Sequence, residues 1–442
     1  MYIFEEEIQR GATAEPEMAA AAEQSVALCA SNSRISITTY CTVLDIFRNR
    51  LYDIWPIVDV EHMKAQLRAR DNDPTTYALA AALCAATLAQ IRLWLTPAPC
   101  PDNLSVTAED FAKECLRIRL ETYHHQEASL QALVTSIFLH MYYANRDQIT
   151  PATISLREAI TYADLMHLCH TSPSDSTRSK QWQMELRCYW ILFVTERTFC
   201  IQHDLPITLN RTPNLPEIER NTSQGDLYAG FCALVQLFLH VQRPLVLPAS
   251  SGKAIEASEM YSKTNISDIQ RRIQVDRPRL DLTSEIQFID ILTTSAWVRS
   301  LLWQYSASRF MLSSSTSIEP LSFDYPLAIA KDYLESLSQV SIESMRSHGY
   351  GMEIKLLQIA NSVLDVVLCM PKFLNHQTCH IGPLDAVITI EHLLSQVGGV
   401  KSDRLSVLHQ RLSQMPSSIT MPLMLEYPEE EMLCESTTEP QC

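Results

Sequence analysis

The sequence predicts an all-α protein, and three observations support that class. Glycine accounts for only 9 of the 442 residues, against a usual share of about 7%, which leaves few positions for tight hairpin turns or phosphate-binding loops. Apolar residues recur along most of the chain at the three- and four-residue spacing of a helix face. No segment of useful length has the alternating pattern of a strand, and no internal repeat is visible. All-β and dinucleotide-binding folds are therefore not expected.

The most informative segment runs from Arg187 to Pro206 and reads RCYWILFVTERTFCIQHDLP. One face of the predicted helix is almost wholly apolar. Pro206 ends it, because proline disfavours helical geometry in the residue before it. The segment therefore predicts a buried helix that ends in a fixed turn. The positions on its buried face are Leu186, Tyr189, Trp190, Phe193, Arg197 and Cys200.

Helical patterns extend over most of the remaining chain, and order is expected to begin near Ile35. The first helix is interrupted where Trp55 precedes Pro56, and Asp59 is placed to cap a short helix. Asp73-Pro74 starts an alanine-rich helix over 74–91, because proline suits the first turn. Further helices are predicted near 107–123, 127–145, 151–168, 181–202, 224–243, 286–310, 327–340, 352–369, 383–397 and 403–413.

Composition divides the chain into three parts. Residues 1–34 are acidic and alanine-rich and predict a loosely attached tail, whereas 35–415 predict one large helical domain. Within that domain, 248–279 mixes small, polar and basic residues and predicts a seam or a mobile insertion. Residues 416–442 carry glutamates between methionines and leucines, and we expect a disordered acidic tail. Such a tail is typical of transcriptional activation segments, although a merely solvating end has the same composition.

The charge and the chain start limit the classes of partner. The net charge is −16 and the pI about 5.3, so direct binding to DNA is not expected. The N-terminus begins with acids rather than the basic flank of a secretory signal, and the thirteen cysteines are therefore expected as free thiols. Residues 74–91 are uncharged for eighteen positions. Their alanine, threonine and glutamine content favours a buried core helix over a membrane span, so no membrane partner is expected.

Two groups of residues have side chains of the types that bind metal ions. His167 and His170 lie one helical turn apart and can chelate an ion, but no third ligand accompanies them. Asp71-Asn72-Asp73-Pro74 is the nearest match to the clustered aspartates that hold magnesium on a diphosphate, yet its proline places it at a helix start. We therefore assign no metal ligand and no cofactor-binding residue.

Glu196 and His203 are the strongest pair for acid–base catalysis, since they lie seven residues apart on one helix. No nucleophile or oxyanion-binding loop accompanies them, so we assign no catalytic residue and expect no enzyme. Arg187 and Arg197 are expected to pair with carboxylates where helices meet.

A series of motifs is similar to the middle homology region of fungal-specific transcription factors. It consists of RNRLYDIWPIVD from Arg48, DPTTYALAAALCAATLAQIRL from Asp73, LREAITYADLMHL from Leu156, the Arg187 to Pro206 segment, SFDYPL from Ser322 and SHGYGMEIKLLQIANSVLDVV from Ser347. The resemblance extends from roughly Ile35 to Leu412. It implies an α-helical regulatory domain in a nuclear transcription regulator that controls a metabolic or secondary-metabolite gene cluster. Other transcription factors or co-regulators are the expected partners, together with a small-molecule inducer.

The family usually carries a six-cysteine binuclear zinc cluster before this domain. Only Cys29 and Cys41 precede Cys84 here, and no basic run precedes Ile35. We therefore expect either a regulator that acts through partners or a shortened product of a longer factor. The alternative function is an all-α enzyme or small-molecule-binding protein with a cavity among its apolar helices.

Overall fold

A computed structural model describes most of the chain between residues 35 and 414. The described residues are 35–69, 73–91, 106–168, 180–215, 225–241, 262–275, 284–310, 312–313, 316, 318–338, 340–369, 382–399 and 402–414. Within these ranges the secondary structure is helical and contains no strand. The predicted all-α class is therefore confirmed.

The described residues contain fifteen α-helices. The first seven are α1 (Ile37–Arg50), α2 (Val60–Arg68), α3 (Pro74–Ile91), α4 (Ala108–Glu121), α5 (Leu130–Ala144), α6 (Ile149–Leu165) and α7 (Lys180–His203). The next eight are α8 (Gly225–Leu239), α9 (Lys263–Val275), α10 (Glu285–Arg309), α11 (Tyr325–Leu337), α12 (Ile342–Arg346), α13 (Tyr350–Cys369), α14 (Pro383–Gly398) and α15 (Asp403–Ser413). Single 3₁₀ turns lie at His124–Gln126 and Glu319–Leu321.

Local side chains fix several helix starts. Asp59 accepts a hydrogen bond from the His62 N–H at 3.0 Å and caps α2, as the sequence predicts. Asp73 accepts from the Thr75 N–H at 3.1 Å at the start of α3. Thr107 and Asp110 form a reciprocal capping box at α4. These caps satisfy N–H groups that the first helical turn leaves without a partner.

The first hydrophobic core is built around α3. This helix is long and apolar enough to cross a membrane, but most of its residues are buried against α1, α4 and α5. Its alanines let the neighbouring helices approach closely. The burial is that of a core helix, which agrees with the interpretation favoured by its composition.

The second hydrophobic core is formed by α11, α13, α14 and α15. The 25-residue helix α10 belongs to both cores. Trp297 and Leu302 on α10 face the first core, whereas Ile289 and Trp303 face the second. A helix that is buried almost all round is the expected solution for an element shared by two cores.

Part of the 248–279 segment is ordered as α9. Ile266 and Ile273 are buried there, and the buried Gln270 donates to the Arg299 carbonyl at 2.9 Å, which ties α9 to α10. The rest of that segment, and the tails 1–34 and 416–442, lie outside the described residues. The domain boundaries therefore stay predictions.

Candidate regulatory site at the end of helix α7

The carboxylate of Glu196 on α7 holds the loop that follows this helix, residues 205–215. Glu196 is fully buried. Its Oε1 accepts from the Thr208 N–H at 2.7 Å and from Arg157 Nη1 at 2.6 Å, and its Oε2 accepts from the Leu209 N–H at 2.9 Å. A buried charge is tolerated only when it is paired and hydrogen-bonded, and both conditions are met here. Glu196 therefore fastens loop 205–215 to α7 and to Arg157 on α6.

Aromatic residues and an arginine of α7 extend the same attachment along the loop. The Tyr189 hydroxyl donates to the Arg211 carbonyl at 2.8 Å, and Trp190 Nε1 donates to the Asn214 carbonyl at 3.2 Å. Arg197 donates through Nη2 to the Leu209 carbonyl at 3.0 Å and stacks on the Phe193 ring at 3.3 Å. Carbonyls without strand or helix partners are thus satisfied by side chains.

Arg187 and Arg197 of α7 both donate to backbone carbonyls. Arg187 donates through Nε to the Pro56 carbonyl at 3.1 Å and lies over the Tyr228 ring at 4.6 Å. The Nε of Arg197 donates to the Val241 carbonyl at 3.1 Å. The carboxylate of Glu196 on α7 pairs with Arg157, and the pairing of Arg187 and Arg197 with carboxylates stays a prediction. A planar guanidinium group can donate hydrogen bonds to oxygen acceptors and can also stack on an aromatic ring. The spacing of residues along one helix does not show which of these partners an arginine contacts.

The last turn of α7 contacts Tyr350, a first-core residue on α13, and the rest of α13 packs mainly in the second core. Gln202 Nε2 donates to the Tyr350 hydroxyl at 2.6 Å, and His203 Nε2 lies 2.9 Å from the same oxygen. Burial, aided by Arg404, lowers the pKa of His203, and burial raises the pKa of Tyr350 to about 12. Both groups are neutral at pH 7, so the contact is a neutral hydrogen bond.

Tyr350 begins α13 and is contacted from three sides. The Arg404 guanidinium lies over its ring at 4.5 Å and also pairs with Asp147 after α5. The Tyr350 N–H donates to Asn145 Oδ1 at 3.4 Å. Helices α5, α7, α13 and α15 therefore meet at one residue. We call the contacts of Tyr350 with Asn145, Gln202, His203 and Arg404 the junction.

A glycine makes the close approach at the junction feasible. Gly349 has φ +52°, and a Cβ there would lie 2.8 Å from Gln90 Cγ and 2.9 Å from Asn145 Oδ1. Gln90 on α3 donates from Nε2 to the Ser347 carbonyl in the same turn. Only glycine combines this backbone conformation with this spacing.

Replacing Gly349 with alanine should lower the free energy of unfolding by about 2–5 kcal/mol. About 1–2 kcal/mol comes from the left-handed backbone, and about 1–3 kcal/mol comes from the forced shift of Gln90 and Asn145. Gly351→Ala is the matched control, because a Cβ at Gly351 meets nothing within 4 Å. That control should leave stability unchanged or raise it by up to about 1 kcal/mol. Urea titrations followed by circular dichroism measure both, and equal effects of the two variants would refute this assignment.

A cleft of about 370 Å³ opens beside the junction, between α7, α10, α13 and α15. Gln202, Gln358, Asp403 and Arg404 supply polar groups to its lining. Ile201, Trp297, Ile354 and Leu357 belong to its apolar lining. A few polar groups among apolar walls is the usual make-up of a small-molecule site.

A second cavity, of about 540 Å³, lies at the C-terminal ends of α10 and α13. Its lining is mostly apolar and includes one carboxylate, Asp365, which accepts from Arg411 Nη2 at 2.7 Å. Neither of these two cavities brings carboxylates together, which is the arrangement that would favour an enzyme.

The structure separates the residues that the sequence offered for chemistry. Glu196 and His203 share α7 but bind different groups, Thr208 and Leu209 in one case and Tyr350 in the other. His167 lies in the turn after α6 with φ 53°. Cys169, His170, Asp71 and Asn72 lie outside the described residues. The absence of catalytic, cofactor and metal residues stays a prediction.

One group of potential ligands escaped the sequence analysis. His124, His125 and Glu158 bring three ligand atoms within 4.8 Å of one another. The available signal was the adjacent histidine pair, but the carboxylate lies 34 residues away on α6. Spacing rules along one element cannot find such a group.

Comparison with known proteins gives relatives of one kind. The chain is 26% identical over 329 residues to the "Probable sucrose utilization protein SUC1" of Candida albicans. It is 23% identical over 327 residues to the "Maltose fermentation regulatory protein MAL13" and 22% identical over 334 residues to the "Respiratory transcription factor ZNF1", both of Saccharomyces cerevisiae. Each alignment covers 73% of this chain. No family model matches the sequence.

The alignments span about two thirds of the relatives, from 64% of the sucrose utilization protein to 67% of the maltose regulator and 68% of the respiratory factor. These relatives agree with the resemblance carried by the motifs, and the helical domain agrees with the fold that it implied. Over most of its length the chain is therefore similar to fungal transcription regulators.

Proposed function

We propose that the chain regulates the transcription of genes for nutrient use and energy metabolism in the nucleus. The observation that carries this proposal is the alignment of 73% of the chain with a sucrose utilization protein, a maltose fermentation regulatory protein and a respiratory transcription factor. The relatives are regulators rather than enzymes, which supports a non-catalytic role. The implied control of a secondary-metabolite cluster stays a prediction, since the printed roles of these relatives concern sugars and respiration.

A reporter experiment tests the regulatory role without relying on the chain's own contact with DNA. The full chain is fused to an unrelated DNA-binding domain and recruited to a reporter with measurable basal expression. We expect reporter expression to rise or fall when the fusion is recruited. We also expect a fluorescent fusion of the chain to accumulate in the nucleus. Unchanged expression with the protein present in the nucleus would refute the proposal.

We further propose that the 370 Å³ cleft receives the inducer. It adjoins the junction, so a ligand there contacts α7, α10, α13 and α15 together. Two carboxamides, a carboxylate, a guanidinium and apolar walls suit a hydroxyl-rich molecule with an apolar face, such as a saccharide. The sugar-related roles of the relatives favour the same class.

A thermal-shift titration with sucrose, maltose and glucose tests the cleft, because a ligand of the folded state raises the melting temperature. We expect at least one sugar to stabilise the chain, and Gln358→Ala to abolish the shift. Gln410→Ala is the control, because Gln410 is exposed on the same end of the molecule in α15. Equal shifts in wild type and Gln358→Ala would place the ligand elsewhere.

A further inference from the structure

A three-residue group lies on the first core, away from the junction. His124 and His125 occupy the 3₁₀ turn after α4, and Glu158 lies in the middle of α6. His124 Nε2 is 3.3 Å from Glu158 Oε1, and His125 Nδ1 is 3.5 Å from the same oxygen. Two imidazole nitrogens therefore converge on one carboxylate oxygen.

The hydrogen bond on the other side of the His124 ring fixes which nitrogen carries the proton. Nδ1 is 2.8 Å from the Arg119 carbonyl oxygen, which can only accept, so Nδ1 donates. In the neutral imidazole, Nε2 then carries a lone pair directed at a carboxylate oxygen. Two acceptors at 3.3 Å repel each other unless a proton or a metal ion lies between them.

Hydrogen bonds also fix the orientation of the Glu158 carboxylate. Its Oε2 accepts from Arg119 Nη2 at 2.8 Å and from the Ser136 hydroxyl at 2.6 Å. These two donors leave Oε1 facing the imidazoles. Arg119 therefore orients both His124, through its carbonyl, and Glu158, through its guanidinium. Outer partners that fix a ligand's tautomer and direction are the usual surroundings of a metal site.

The turn geometry places the second imidazole. Tyr123 has φ 48°, an uncommon conformation for a residue with a side chain, and it turns the chain from α4 into the 3₁₀ turn. The two histidine rings then lie with their centroids 3.6 Å apart. The His125 side chain is 74% exposed, so an ion reaches the group from solvent without opening the core.

Two of the three distances between ligand atoms match a tetrahedral transition-metal ion, and the third is within 4.8 Å. Bonds of about 2.0–2.1 Å separate the ligand atoms of zinc by roughly 3.3 Å, against the observed 3.3 and 3.5 Å. Two imidazoles with one carboxylate form a typical zinc donor set. Magnesium and calcium prefer oxygen ligands, so this set disfavours them.

We propose that His124 Nε2, His125 Nδ1 and Glu158 Oε1 bind one Zn²⁺ ion, with the fourth position open to water. The ion fastens the α4–α5 connection to α6. This site is independent of the proposed transcriptional role.

Isothermal titration with zinc chloride tests the site on the full chain, freed of metal by chelation and kept reduced with a phosphine. We expect the zinc affinity of this site to fall by about 100-fold or more in His125→Ala, since loss of an outer partner alone costs about 10–100-fold. At the concentrations of the titration, the variant should therefore bind one zinc equivalent fewer than the wild type. His409→Ala is the matched control, because His409 also contacts a glutamate, Glu391 at 2.6 Å. It should bind zinc as the wild type does.

Two further measurements distinguish this site from zinc binding by cysteines and from loss of the fold. Cobalt substitution should give the visible absorption of nitrogen and oxygen ligands, a signal that His125→Ala lacks, and cysteine sites would add thiolate bands that both proteins retain. Circular dichroism should show unchanged helicity, because the His125 ring is mostly exposed. If the zinc isotherms of wild type and His125→Ala superimpose, or if the wild type takes up no zinc, the site does not exist.

Discussion

Replacing Glu196 with alanine should lower the free energy of unfolding by about 3–5 kcal/mol, the largest effect that we expect from a single side chain in α7. Four donors converge on this carboxylate: the Thr208 N–H and hydroxyl, the Leu209 N–H and the Arg157 guanidinium. Alanine leaves all four without this acceptor, among them the N–H of the buried Leu209 and the half-buried Arg157. Loop 205–215 should detach from α7, and Arg157 should be left partly buried without its carboxylate.

Two further variants are compared with Glu196→Ala by their free energies of unfolding in urea titrations. Glu196→Gln retains one oxygen but presents an amide to a backbone donor, so its loss should be smaller than that of alanine. Glu335→Ala removes an exposed glutamate from α11, and it should change stability by less than about 0.5 kcal/mol. If Glu196→Ala is no more destabilising than Glu335→Ala, the carboxylate does not hold the loop.

Replacing Lys355 with methionine should cost a similar amount, about 3–5 kcal/mol, in the second core. Lys355 Nζ lies 2.8 Å from Asp290 Oδ1 and 2.7 Å from the Thr294 hydroxyl, and the side chains of the ion pair are 9% and 12% exposed. The pair joins α13 to α10. Methionine fills the volume but leaves the Asp290 carboxylate buried without its cation. Asp290→Asn combined with Lys355→Met should recover part of the loss, because replacing a whole buried pair is far less costly than breaking it.

The same pair predicts a pH dependence. Burial raises the pKa of Asp290, but Lys355 and His348 outweigh it and hold that pKa below its usual value. The wild type therefore gains stability from Asp290 above about pH 4, and it loses that gain as the pH falls through the lowered pKa. Without Lys355, burial dominates and the pKa of Asp290 should rise. The stability gap between wild type and Lys355→Met should then narrow as the pH falls from 7 towards 5. A constant gap over that range would show that Asp290 does not depend on Lys355.

The helices could be predicted from the sequence because apolar spacing and proline positions act locally. The predicted span 74–91 coincides with α3, and Tyr40, Val43, Leu44 and Phe47 are all fully buried on one face of α1. Helix α9 was missed because its polar and basic composition indicates an insertion. Ile266, Gln270 and Ile273 are buried, and Gln270 is hydrogen-bonded to α10, a contact that the local sequence does not reveal. Helix α12 spans only five residues and is too short for a periodic signal.

The sites could not be predicted, since they depend on residues that are distant along the chain. Glu196 and His203 were correctly placed on one helix, but Arg157 and Tyr350 come from α6 and α13. His124 and Glu158 are likewise joined only by the packing of α5 and α6 against the end of α4. Motif resemblance succeeded where spacing failed, because an ordered series of segments carries information about the whole domain.

The central claim is that this helical domain belongs to a regulator that controls transcription. The most direct test is transcript profiling of a deletion strain grown on several carbon sources and complemented with variants of the chain. We expect the transcripts of a limited gene set to change on deletion, and wild type and Glu335→Ala to restore them, whereas Glu196→Ala should not. Transcripts that are unchanged by deletion on every carbon source would contradict the account.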